Sequence, residues 1–261
     1  MPQLGFGVWQ VPDAEATTAV AEALKAGYRS IDTAAAYGNE AGTGAAIAQS
    51  GVDRDEVFVT TKLWNDDHGY DSTLRAFDAS MTKLGLDVLD LYLIHWPTPA
   101  RDNYVDTWKA FVELQKEGRV RAIGVSNFQP AHLQRLIDET GVTPAVNQIE
   151  LHPYFQQADV RAFNAQHGIQ TEAWSPLGQG GDLLTDPVVQ KIALAHGKST
   201  AQVVLRWHLQ IGNVVIPKSV TPSRIQENFD VFGFELADAE VEAIAGLDRG
   251  GRIGPNPDEL N

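Results

Sequence analysis

Apolar residues at Ala16, Ala19, Val20, Ala23 and Leu24 recur at steps of three and four, so the stretch after Pro12-Asp13 reads as a helix with one buried stripe. Asp13 is placed to cap it and Gly27 to stop it. A short apolar run, Leu4 to Trp9, precedes this helix, and strand-like Tyr28 to Thr33 follows it. The same alternation then repeats. Helix-like Asn39 to Gln49 leads to Val57–Lys62, rich in β-branched residues; Ser72 to Leu84 leads to Asp87–His95; Val105 to Glu117 leads to Val120–Ser126; Pro130 to Glu139 leads to Ala145–Glu150. The last third adds a helix over Asp159–Gln166, a strand over Ile169–Trp174, helical stretches from Pro187 and Thr200, a strand over Asn213–Pro217, and helices from Pro222 and Ala237. Gly85, Gly118 and Gly141 stand where helices should end.

Apolar runs starting near Leu4, Arg29, Val57, Asp87, Val120, Ala145, Ile169 and Asn213, each followed by at least one helix, match the element count of a (β/α)8 TIM barrel. No low-complexity tract, long linker or composition shift divides the chain, so residues 1–261 read as one α/β domain. A doubly wound open sheet is the competing architecture. The glycine-rich turn of a dinucleotide-binding Rossmann unit is missing, because Gly5-Phe-Gly7 has no third glycine at the required spacing and opens no helix.

Charge and composition narrow the partners. A formal net charge of −14 sets the surface against nucleic acid and anionic membranes, so any anionic ligand needs its own basic pocket. The chain has no Cys, which removes disulfides, thiolate metal sites and Cys nucleophiles. It opens with no basic-then-apolar leader, and the apolar run Val88–Trp96 is broken by Asp90 and too short to span a bilayer. A cytoplasmic, monomeric protein is the expectation.

In a (β/α)8 barrel the catalytic groups gather at the carboxyl ends of the strands. Read there, successive strands end in Asp32, Lys62, His95, Ser126-Asn127, Gln148, Trp174-Ser175 and Lys218-Ser219. Singly each has an ordinary explanation: a helix-capping Asp, a solvated Lys, a core His, a Ser-Asn turn. Together, polar and ionisable residues at one end of strand after strand are hard to explain as packing.

The segments Asp32-Thr-Ala-Ala-Ala-Tyr37-Gly-Asn-Glu40, Leu89-Asp-Leu-Tyr-Leu-Ile-His95-Trp-Pro97, Gly124-Val-Ser-Asn-Phe128, Asn147-Gln-Ile-Glu-Leu-His-Pro153 and Ile216-Pro-Lys-Ser219 carry a resemblance to the aldo-keto reductase family, running from Pro2 to Leu260. Thr61-Lys-Leu-Trp-Asn65, Trp96-Pro-Thr-Pro99 and the short tail after Leu247 resemble its bacterial 2,5-diketo-D-gluconate reductase branch. The resemblance implies a (β/α)8 barrel that reduces aldehydes and ketones, diketo sugar acids among them, to alcohols with NADPH. It makes Asp32, Tyr37, Lys62 and His95 a catalytic tetrad. Ser126, Asn127 and Gln148 would meet the nicotinamide carboxamide, and Trp174 would stack on the ring where many relatives have Tyr. Ser175, Leu177 and Gly178 would follow the pyrophosphate; Lys218, Ser219 and Arg224 would hold the 2′-phosphate; Glu227 and Asn228 would hold adenine. Trp9, Trp64 and Trp96, with His95, would wall the carbonyl substrate. Family members also carry a β-hairpin closing the barrel floor before the first strand, and the start Met1-Pro2-Gln3-Leu4 leads to the expectation that this hairpin is missing.

The tetrad makes chemical sense. Carbonyl reduction builds negative charge on oxygen, which a proton must meet, and a phenol with an ordinary pKa of about 10 is a reluctant donor. A cationic Lys62 beside Tyr37 would lower that value, Asp32 would hold the ammonium, and His95 would orient the carbonyl. The residues leave open whether Tyr37 or His95 gives the proton; Tyr37 is favoured. Two rival readings use the same chain. A barrel metallohydrolase would draw on Asp32, His95, Glu150 and His152, and a cofactor-loaded regulatory or structural subunit would use the fold without turnover.

Overall fold

Eight parallel strands are hydrogen-bonded strictly in chain order: β1 (Phe6–Gly7), β2 (Ser30–Asp32), β3 (Phe58–Leu63), β4 (Leu89–Ile94), β5 (Val120–Ser126), β6 (Val146–Glu150), β7 (Gln170–Trp174) and β8 (Val214–Val215). In this computed structural model, which describes every residue from Met1 to Asn261, the sheet closes on itself. Leu4 bridges Val215 in parallel, and Gly5 and Gly7 donate backbone N–H groups to Val215 and Pro217. Ten helices cover the outside: α1 (Asp13–Ala26), α2 (Glu40–Gln49), α3 (Tyr70–Leu84), α4 (Tyr104–Lys116), α5 (Pro130–Thr140), α6 (Ala158–Gln166), α7 (Pro187–His196), α8 (Thr200–Gln210), α9 (Pro222–Phe229) and α10 (Asp238–Ala245). The expected (β/α)8 barrel is the observed fold. No helix is long and apolar enough to cross a membrane.

Two local expectations change. The eighth strand shrinks from Asn213–Pro217 to two residues, although the backbone stays tied to both neighbours beyond Val215: Ile216 N–H donates to the Ala173 carbonyl and Gly7 N–H to that of Pro217. Asp13 does not cap its own helix, whose N-cap position is Pro12. Its Oδ1 instead accepts from the backbone N–H of Gly42, 2.7 Å away in the first turn of α2. That N–H is one of the donors a helix start cannot satisfy internally. Only glycine fits there: a Cβ on Gly42 would stand 2.4 Å from the Asp13 carbonyl oxygen.

The period-2 alternation of strands sorts side chains into an outer layer and the barrel lumen. On β4, Tyr92 stacks on Phe111 of α4 and meets Phe77 of α3 edge-on, so it faces the helices. Leu91, Leu93 and, beyond the strand, His95 take the opposite face. Leu91 and Leu93 cluster with Val146 of β6 in an apolar lower lumen. Above that plug the lumen turns polar, and this upper layer holds the candidate site.

Candidate active site

Asp32, Lys62, Gln148 and Glu172 come from β2, β3, β6 and β7, and all four are buried. Lys62 Nζ lies 2.5 Å from Asp32 Oδ1 and donates to the Thr33 carbonyl at 2.9 Å. Gln148 Nε2 lies 2.8 Å from Asp32 Oδ2. Strands β2 and β6 are not neighbours in the sheet, so that bond crosses the lumen. A buried carboxylate needs such partners, and Asp32 has two.

Tyr37 reaches this layer from above. It ends a single 3-10 turn, Ala35–Tyr37, which Gly38 terminates in the left-handed region at φ 67°. Its hydroxyl stands 3.4 Å from Lys62 Nζ. Asn39 anchors the loop: its Oδ1 accepts from Thr33 Oγ1, and its Nδ2 donates to the carbonyls of Val8 and Val11, tying the Tyr37 loop to the loop that carries Trp9. Here the structure corrects the expected electrostatics. Burial raises the Tyr37 pKa, and although Lys62 pulls it down, the net shift is upward, with Asp32 adding to the rise. Lys62 itself is held above its ordinary value: burial opposes its charge, but Asp32 and Tyr37 outweigh that penalty. His95 is pushed well below the usual imidazole range, by burial first and by Lys62 second, and is therefore neutral. Its ring sits edge-on to Tyr37 at 5.7 Å and to Trp64 at 5.3 Å.

The expected carboxamide-binding residues are assembled, and they are bonded to one another. Asn127, in the left-handed region at φ 64°, donates from Nδ2 to the His95 carbonyl and to Ser126 Oγ. Its Oδ1 accepts from the indole N–H of Trp174 at 2.8 Å. Ser126 Oγ donates to the Gln148 carbonyl. Gln148 Oε1 alone makes no hydrogen bond within the protein and keeps access to solvent.

The remaining expected residues divide by position. Ser175 and Gly178 take positive φ in the turn after β7, and His208 supports that turn: its Nδ1 accepts from Asn213 Nδ2, leaving Nε2–H to donate to the Pro176 carbonyl. Leu177 is half-buried against the core. Lys218 and Arg224 are exposed after β8 and in the first turn of α9, and neither has an acidic partner. Ser219 Oγ accepts from Thr221 N; Glu227 is exposed and Asn228 buried on the same helix. Trp9 is 43% exposed, Trp64 half-buried and Trp96 only 8% exposed, stacked beside His95.

The metal reading of Asp32, His95, Glu150 and His152 fails on geometry, since no cluster of His, Asp and Glu is arranged to hold an ion. Asp32 is bound to Lys62. The Glu150 carboxylate accepts from His152 and from the backbone N–H groups of Ile253 and Gly254, which pins the C-terminal segment beside the Trp174 ring.

Two participants escape a reading of strand ends. Glu172 lies two residues before the end of β7, and Ile253-Gly254 belongs to an irregular tail. A charged residue inside an otherwise buried parallel strand was the available signal for Glu172.

The profile of the Aldo/keto reductase family matches residues 3–249. This chain belongs to that family. Full-length relatives agree: the reductase is 61% identical over 261 residues to an aldo-keto reductase of Mycolicibacterium smegmatis and 60% identical to methylglyoxal reductase DkgA of Escherichia coli K12, covering 100% of this chain and 94% of each relative. Among solved structures, a Gox0644 mutant in complex with NADPH superposes with a TM-score of 0.96 at 55% identity, covering 100% of this reductase and 95% of that chain.

Proposed function

We propose that this aldo/keto reductase, a single domain over residues 1–261, catalyses NADPH-dependent reduction of aldehydes and ketones to alcohols with Tyr37 as proton donor. The observation that carries the reading is Lys62 Nζ, buried between Asp32 Oδ1 at 2.5 Å and the Tyr37 hydroxyl at 3.4 Å, beneath a neutral His95. Support for the cofactor comes from a relative crystallised with NADPH and from three features of the chain itself. Lys218 and Arg224 are unpaired cations in a protein of net charge −14, a setting made for a phosphate. Gln148 Oε1 is an acceptor with no partner within the protein, while Nε2 of the same amide is held by Asp32 and Glu172. Trp174 offers a half-buried aromatic face.

NADPH bound there supplies a hydride to the carbonyl carbon. The chain's residues manage the oxygen. His95, having no charge to lose, orients it through a ring N–H. Tyr37 gives up its phenolic proton as negative charge grows on the oxygen. Lys62 stabilises the phenolate left behind, and Asp32 and the Thr33 carbonyl keep the ammonium in place.

The substrates this reading favours are small 2-oxoaldehydes such as methylglyoxal, which the name of the E. coli relative carries, and diketo sugar acids such as 2,5-diketo-D-gluconate, which the branch resemblance suggests. The aromatic walls Trp9, Trp64 and Trp96 suit a compact carbonyl compound. The reading extends to a monomer working in the cytoplasm, whose reducing conditions suit a Cys-free sequence.

NADPH oxidation followed by absorbance with methylglyoxal, a simple aromatic aldehyde and 2,5-diketo-D-gluconate tests the reading. Tyr37→Phe should cut turnover roughly 100-fold or more while NADPH binding stays intact, because the variant deletes an acid and no cofactor contact. A Tyr37→Phe enzyme within a few fold of wild type would remove Tyr37 from the role and leave His95 as the candidate.

A further inference from the structure

Gln148 Nε2 faces two carboxyl groups at once, Asp32 Oδ2 and Glu172 Oε2, each at 2.8 Å. A primary amide carries two N–H donors on one side and a carbonyl acceptor on the other. Two acceptors below it therefore decide how the amide is turned: the NH2 faces the lumen and Oε1 faces the cleft. Asp32 alone would satisfy only one N–H, and its Oδ1 is already committed to Lys62. Glu172 takes the second.

We propose that Glu172 is a positioning residue of the reduction, holding the Gln148 amide so that Oε1 is presented to the carboxamide end of the cofactor. The inference rests on the function proposed above and adds to it a residue that touches neither substrate nor cofactor.

The chemistry of Glu172 suits the task. Burial, and then the negative charge of Asp32, push its carboxyl up to about 8, so at neutral pH it is an uncharged acid. Asp32 is then the single negative charge facing Lys62. Glu172 Oε1 is buried without a partner, which a neutral acid tolerates far better than a carboxylate does. The groups that bear on it are Asp32 from β2, the Tyr37 hydroxyl above, Lys62 from β3 and Gln148 from β6; its partner on β8 is the uncharged Val214. Ionisation above about pH 8 would set a second negative charge beside Asp32 and oppose the formation of phenolate at Tyr37.

Glu172→Leu removes the acceptor, and Glu172→Gln keeps an acceptor oxygen but cannot ionise. Calorimetric titration with NADPH should show Glu172→Leu binding roughly two- to tenfold more weakly, the size of one lost hydrogen bond, with KM for NADPH rising more than kcat falls. Glu172→Gln should bind like wild type, and its turnover should lack the decline that wild type shows as pH rises through about 8. Wild-type NADPH affinity in a folded Glu172→Leu protein, or an alkaline decline unchanged in Glu172→Gln, would overturn the proposal. Should Glu172→Leu fail to fold, the same NADPH titration on Glu172→Met, which also lacks the acceptor for Gln148 Nε2, decides instead. Wild-type protein that binds NADPH yet reduces no carbonyl compound would sink the proposed function instead, and the binding comparison would still judge Glu172.

Discussion

The indole N–H of Trp174 donates to Asn127 Oδ1 at 2.8 Å. Through this bond the end of β7 fixes the amide that, from its other side, holds the His95 carbonyl and Ser126 Oγ. Three strand ends are thereby locked together, and a tyrosine in the same place would need a different reach to do it. Trp174→Phe keeps an aromatic face and loses the donor. NADPH affinity measured by calorimetry should fall roughly two- to tenfold, with a smaller change in kcat. An unchanged dissociation constant would show that the bond positions nothing.

Lys62→Met tests the buried ion pair. It leaves Asp32 charged and buried with only Gln148 as a partner, and removing one member of a buried pair typically costs about 3–5 kcal/mol. Denaturant unfolding should report a loss of that order, and turnover should collapse because Tyr37 loses the only cation that opposes its raised pKa. Wild-type stability in this variant would mean that the Lys62–Asp32 pair contributes nothing to the fold.

Arg224→Ala addresses cofactor choice. Arg224 is exposed and unpaired, so its removal breaks no internal contact and should leave the melting temperature unchanged. A charge-assisted hydrogen bond is worth about 1.5–3 kcal/mol, so kcat/KM with NADPH should drop roughly tenfold or more while that with NADH stays put. Equal losses with both cofactors would place the 2′-phosphate elsewhere.

Acid should unfold this protein through its buried imidazoles. Burial lowers His68 to about 4 and His208 to about 3, and lowers His95 strongly. A histidine whose folded pKa is depressed binds its proton less readily when folded, so its contribution is complete above the unfolded value of about 6.5 and is lost as pH falls toward the folded one. Glu172 has the opposite sign. Its folded pKa is raised, so stability is lost as pH climbs from about 4.5 to about 8. Melting temperatures should peak near about pH 6.5, fall toward acid, and fall toward alkali until they level off above about pH 8. Glu172→Gln should remove the decline between about pH 6.5 and about 8 and steepen the acid side, where Glu172 opposes the histidines. A curve flat from pH 6.5 to 4 would contradict the neutral buried histidines.

The order and type of nearly every element, the closed eight-stranded fold and the residues at the strand ends follow from the sequence by itself. Local pattern suffices for these: apolar periodicity separates helix from strand, glycines mark helix ends, and in a barrel every strand end points to one face. What each side chain does once there depends on tertiary structure. Asp13 caps α2 instead of α1 because α2 packs across its start. Tyr37 ends with a raised pKa because burial outweighs the neighbouring Lys62. Glu172 meets Gln148, and Gln148 meets Asp32 from 116 residues away, because closure of the barrel brings β2, β6 and β7 around one lumen. Solvation and hydrogen-bond partners are set by which chain segments share that space, and spacing along a chain does not encode them.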